Sequence, residues 1–121
     1  MTEKALQKTV EDYLDLYGIP WLHCTTFLRV RAYGKCKQCG SSVSGWKNQP
    51  VPGMTGWPDL LIFFKRGFLA LELKYGSNKL SAEQRVIKEN LEQQGYVYKV
   101  AYTWAEAKEH IDFRLHAEGK L

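Results

Sequence analysis

What the sequence lacks narrows it first. Its longest apolar run, Leu60-Leu61-Ile62-Phe63-Phe64, is five residues, far short of the roughly 20 that a membrane span needs. Cysteine is scarce: there are three, an odd number, and only Cys36 and Cys39 lie close together. That argues against a secreted disulfide framework. The opening Met1-Thr2-Glu3-Lys4 has no apolar stretch of signal-peptide type, so the expectation is a cytoplasmic protein with no membrane partner. Internal repeats and low-complexity tracts are missing as well. Charge of one sign is only in slight excess, +4 with a pI near 9.0. Such a balance favours a polyanionic partner without requiring one.

What is present fits one domain over residues 1–121, with 45% hydrophobic residues spread along the chain. Leu6, Val10, Tyr13, Leu14 and Tyr17 recur at helical spacing, which predicts a helix over 2–17, capped by Thr2 and stopped by Gly18 and Pro20. Residues 21–31 are rich in β-branched and aromatic types and predict a strand. The stretch 33–57 holds five glycines and two of the four prolines and reads as a long irregular loop, a feature that in compact domains is usually functional. Strands are expected at 59–65 and 68–75, joined by a tight turn at Arg66-Gly67. A helix follows over 81–94 with apolar Val86, Ile87 and Leu91, then a strand at 96–102. A last helix through about Leu115 is announced by a Thr103/Glu106 capping box. This order predicts an α/β fold, a central mixed β-sheet flanked by helices.

The strand 68–75 carries the chemistry. Alternation puts Leu69, Leu71, Leu73 and Tyr75 on one side, and Phe68, Ala70, Glu72 and Lys74 on the other. A glutamate and a lysine on a strand that otherwise looks buried are costly unless matched. A simple ion pair, or a solvated strand end, is one explanation. Asp59 supplies another. It opens the partner strand after Pro58, and the hairpin returns it to the end where Glu72 and Lys74 lie. Two carboxylates converging there would repel unless a cation sat between them, and oxygen donors of this kind suit Mg²⁺ or Mn²⁺. A lysine beside them can orient the attacking water and face phosphate charge, which together meets the needs of metal-assisted phosphodiester hydrolysis.

Pro58-Asp59, twelve residues, then Glu72-Leu73-Lys74 resembles the PD-(D/E)XK nuclease motif. The wider run of Gly56-Trp57-Pro58-Asp59-Leu60, Leu71 to Lys74, Leu80-Ser81-Ala82-Glu83-Gln84 and Gly95 is similar to the VRR-NUC branch of that superfamily, over most of the chain to about Ile111. The resemblance implies a restriction-endonuclease-like core and Mg²⁺- or Mn²⁺-dependent cleavage of branched DNA such as four-way (Holliday) junctions. It also implies a homodimer of the small stand-alone phage or bacterial type. It makes Asp59, Glu72 and the Leu73 backbone carbonyl metal ligands, Lys74 the catalytic lysine, and Gln84 a residue near the scissile phosphate. Gln84 equally fits a capping box with Ser81. The family also uses a glutamate of the first helix. At 100° per residue Glu3 lies about 35° from the centre of the apolar stripe and Glu11 about 115° away, which favours Glu3, with Gln7 beside it.

Other residues bear on binding. Cys36-Lys37-Gln38-Cys39-Gly40 has the spacing of a zinc knuckle but offers two of the four ligands zinc takes. His23 or Cys24 could add one, or a dimer could share two pairs; two free thiols is the plainer account. Arg29, Arg31, Lys35, Lys37, Trp46 and Lys47 could grip a phosphate backbone, or be ordinary surface. Lys65, Arg66, Lys79, Arg85 and Lys88 could extend a basic track. His110 and His116 read as surface residues. Trp21, Phe27, Tyr98, Tyr102 and Trp104 are divided between core and dimer interface. Two other functions remain in play: a non-catalytic nucleic-acid-binding module, zinc-stabilised through Cys36 and Cys39, and a flap- or restriction-type nuclease of the same superfamily.

Overall fold

A computed structural model describes residues 2–24, 27–50 and 55–120, and their side chains except at 27–32 and 47–50. The chain divides into two compact units, one formed by Met1–Cys24 with Gly56–Leu121, the other by Thr25–Thr55.

The first unit is mixed α/β, with three helices and a mixed four-stranded sheet. Helix α1 (Glu3–Leu16) starts at Thr2, whose hydroxyl accepts from the Ala5 N–H at 3.1 Å. It buries Leu6, Val10 and Leu14. Strands β1 (Trp21–His23), β4 (Leu60–Phe64), β5 (Gly67–Leu73) and β6 (Val97–Ala101) lie in the order β1-β4-β5-β6. The first two junctions are antiparallel; β5 and β6 are parallel, linked through α2 (Ala82–Gln93). Helix α3 (Trp104–Ala117) buries Ala107, Ile111 and Leu115, one residue per turn. Their stripe, that of α1, and Leu60, Ile62, Leu69, Leu71 and Leu73 form one core. The face carrying Ala70 and Glu72 is met by the first turn of α2.

Several boundaries differ from the sequence reading, each for a local reason. The turn between β4 and β5 is Lys65-Arg66, because Gly67 already pairs with Phe64 and alone takes positive φ, +131°. Strand β5 ends at Leu73, so Lys74 and Tyr75 lie beyond it. Val86 of α2 is exposed, and no residue of that helix is fully buried. The Glu106 carboxylate accepts from the Tyr102 N–H at 2.8 Å, one residue before the cap, while Thr103 accepts from Glu106.

The second unit corrects the loop expected over 33–57. Strands β2 (Phe27–Lys35) and β3 (Ser42–Pro50) form a two-stranded antiparallel ribbon, in register from Phe27 with Pro50 to Lys35 with Ser42. The strand expected over 21–31 is accordingly two strands, interrupted after His23. Gly45, Ser44, Asn48 and Gln49 have low strand propensity, but cross-strand bonding overrides so weak a preference.

Gly56 is held by a close approach. Its φ is +87°, and an added Cβ would lie 2.6 Å from the Glu83 carbonyl oxygen, at the start of α2. Only glycine accepts both conditions. Gly56→Ala is therefore expected to lower unfolding free energy by about 2 kcal/mol, measured by urea denaturation, whereas Gly34→Ala, with open space around it, should change it far less.

Candidate active site

The hairpin places Asp59 and Glu72 together. Leu60 pairs with Leu71, so the next residues outward are Asp59 and Glu72. Their contact is direct: the Asp59 N–H donates to Glu72 Oε2 at 3.2 Å, and the Leu73 N–H donates to Asp59 Oδ2 at 2.8 Å. Glu72 is 4% exposed. Lys74 Nζ lies 3.5 Å from Glu72 Oε1 and donates to Gln84 Oε1 at 2.9 Å. Gln84 Nε2 in turn donates to Glu72 Oε1 at 3.1 Å. Four residues from three stretches of the sequence thus form one network.

Gln84 forms the expected capping box and also joins the carboxylate–lysine network. Its Oε1 also accepts from the Ser81 N–H at 2.9 Å, and Ser81 Oγ accepts from the Gln84 N–H, a complete capping box. The cap fixes the amide, and the fixed amide reaches Glu72 and Lys74.

No protein-family model matches the chain, and no curated protein matches it. The site is therefore argued from its own chemistry.

The donor set is hard oxygen. A carboxylate has about four lone-pair positions; Glu72 uses three and Asp59 one in the bonds above. The Leu73 carbonyl faces β4, because the neighbouring Lys74 N–H turns the other way, to the Ala101 carbonyl. Continuing the β4–β5 register, the residue opposite Leu73 is Pro58, which has no N–H to offer. Among the described residues no group of three or more His, Cys, Asp or Glu side chains is gathered for a metal. Mg²⁺ nonetheless binds through one or two carboxylates with the remainder supplied by water and phosphate. Asp59, Glu72 and the Leu73 carbonyl fit that pattern.

The local field is negative. Burial first, and then the Asp59 charge, push the Glu72 carboxyl up to about 7, with Lys74 acting in the opposite direction. Burial raises the Cys24 thiol and the Tyr98 hydroxyl, and Asp59 and Glu72 raise both further. These two residues are features that sequence reading passed over as site neighbours. Cys24 is 5% exposed, and its N–H donates to the Asp59 carbonyl at 2.9 Å. Tyr98 is 3% exposed and pairs with Ala70 on the parallel strand, which puts it on the Glu72 face. The signal for both lies in strand register, which needs the sheet order.

The other candidates are dispersed. Glu3 is exposed, in the first turn of α1, where the apolar stripe has run past the core, so the inward position expected for it is not found. Glu11 is half-buried and accepts from Gln7 at 2.9 Å. Neither is bonded to the pair. Thr2 and Leu6 of α1 do line a cleft with Lys74, Tyr75 and Gly76. Lys79 and Arg85 are exposed on either side of Gln84 in the chain. Arg29, Arg31 and Lys47 lie in the ribbon strands, with side chains outside the described set, as is that of Phe27. Cys36 and Cys39 lie at the ribbon's turn and form no disulfide. Tyr98 belongs to the interior, not to an interface. Trp21, Tyr102 and Trp104 are half-buried: Trp21 donates to Asp15, Tyr102 to the Asn78 carbonyl, and Trp104 packs edge-on against Tyr13. His116 is exposed; His110 is half-buried.

The raised Glu72 value has a definite sign. Between about 4.5 and 7 the folded protein holds a proton that the unfolded chain releases, so unfolding free energy falls as pH rises through that window. In EDTA, wild type should lose on the order of 2 kcal/mol relative to Glu72→Gln between pH 4.5 and 7.5, measured by urea denaturation. Parallel curves for the two proteins would refute the assignment.

Proposed function

We propose that the chain is a metal-dependent endodeoxyribonuclease with a restriction-endonuclease-like core, akin to the VRR-NUC branch of the PD-(D/E)XK nucleases. The observation that carries this reading is the network of Asp59, Glu72, Lys74 and Gln84, two carboxylates and an amine converging at one sheet end.

Asp59, Glu72 and the Leu73 carbonyl would hold Mg²⁺ or Mn²⁺, which supplies an activated water and a counter-charge to phosphate when bound. The protein's own contribution is placement. Gln84 steers the Lys74 amine, which faces the attacking water or the charge that grows on the phosphoryl oxygens. Water oxygen would bond to phosphorus as the bond to the leaving ribose oxygen breaks, with the water proton passing to solvent and the leaving oxygen taking one from solvent. Glu72, with its carboxyl raised towards neutrality, is ionised more fully once a cation offsets Asp59.

Branched DNA as substrate rests on the family resemblance. A four-way junction needs two symmetric cuts, which a two-fold dimer supplies, so a homodimer is part of the same proposal. A bacterial cytoplasm, with a phage as one source, would be the setting. The non-catalytic module and the flap- or restriction-type nuclease make different predictions on one panel: four-way junction, flap, splayed arm, linear duplex and single strand, each with Mg²⁺ and with EDTA. Cleavage of the junction in Mg²⁺ alone is expected. Binding without turnover on any substrate would favour the module, and preference for flap or linear duplex the other nucleases. Asp59→Ala and Lys74→Ala should each lower single-turnover cleavage by about 10³-fold or more, roughly 4 kcal/mol of barrier, while DNA binding in EDTA persists. Undiminished cleavage by Asp59→Ala would exclude the site.

A further inference from the structure

Charge is divided unevenly between the two units. Residues 25–55 contain five of the seventeen Lys and Arg residues and none of the thirteen Asp and Glu. That unit therefore carries +5, and the remainder of the chain −1. The overall +4 conceals a nearly neutral α/β unit and a wholly cationic ribbon.

The ribbon's register sorts its residues. Arg31 pairs with Trp46, Arg29 with Asn48, Tyr33 with Ser44 and Lys35 with Ser42. Paired residues share a face and alternate residues change face. Among the described side chains, one face thus collects Tyr33, Lys35 and Trp46 and the other Gly34, Val43 and Gly45, while Arg29 and Arg31 occupy the alternate register positions that lead up to Tyr33 in β2. Tyr33 and Trp46 are 80% and 56% exposed, and Lys35 and Lys37 are exposed at the turn end. Nine residues of strand span about 30 Å, and a two-stranded ribbon is narrow enough for the major groove of DNA.

We infer that this ribbon is a DNA-binding arm that contacts the phosphate backbone through Arg29, Arg31, Lys35 and Lys37, independently of sequence and of the metal. An acid-free cationic face interleaved with aromatic residues suits a polyphosphate with stackable bases; a lipid surface offers no bases. The inference rests on the nuclease reading for the choice of DNA as the polyanion, but not for the existence of the charged face. It assigns binding and cleavage to different units of the chain.

The test is fluorescence anisotropy of the full chain with a labelled four-way junction and a linear duplex, in EDTA, over a series of salt concentrations. Lys35→Gln/Lys37→Gln changes exposed residues at the turn and should weaken both complexes about tenfold near 0.1 M salt and reduce the salt slope by about two. Arg29→Gln/Arg31→Gln should do the same, with circular dichroism confirming the fold. Lys120→Gln, an exposed cation of the other unit, should leave affinity and slope unchanged. An unaltered slope in both ribbon variants overturns the inference. So does tighter binding to vesicles of anionic phosphatidylserine than to DNA. Cleavage in Mg²⁺ is read separately: loss of turnover with ribbon-dependent binding retained would refute the nuclease and leave the arm standing.

Discussion

A buried carboxylate held beside a half-buried one is the constraint around which this protein is arranged. Asp59 and Glu72 open one end of the β4–β5 hairpin, and burial of Glu72 beside the Asp59 charge makes its ionisation expensive. The surroundings answer with donors: the N–H groups of Asp59 and Leu73, the amide of Gln84 and the amine of Lys74. One amine cannot balance two carboxylates. Burial first, and then the remaining negative field, lift Glu72 and raise the Cys24 thiol and the Tyr98 hydroxyl beside it. On the proposed reading, a divalent cation supplies the missing charge.

The backbone serves that arrangement. Gly56 lets the chain press against the start of α2, so that the segment leading to Asp59 and the helix bearing Gln84 meet. Pro58 withholds the N–H that would otherwise engage the Leu73 carbonyl. The capping box of α2 then sets the Gln84 side chain, so a device that starts a helix also completes the network. Each is a modest local effect. Together they hold four polar groups within hydrogen-bonding distance at one sheet end.

Much of this was legible in the sequence, for physical reasons. Helix α1 follows from its apolar spacing and Thr2. The β4–β5 hairpin follows from two apolar runs around a turn, and with it the meeting of Asp59 with Glu72. The ribbon was not legible, since Gly, Ser, Asn and Gln resemble loop until a partner strand supplies the bonding. Tyr98 and Cys24 escaped as neighbours of the carboxylates because their places depend on which strands adjoin, and local pattern carries no strand order. Glu3 is exposed where an inward position was expected, because helical spacing gives an angle but not the point at which the core stops.

Of all the groups in the site, Glu72 reports most directly on whether the pair is a cation site. Its carboxyl carbon can be followed by NMR in a pH titration, first in EDTA and then with millimolar Mg²⁺, Asp59→Asn serving to identify the coupled partner. The account predicts a midpoint near 7 without metal, moving down towards the ordinary carboxylate range when Mg²⁺ is added. A midpoint that Mg²⁺ leaves unmoved would contradict it.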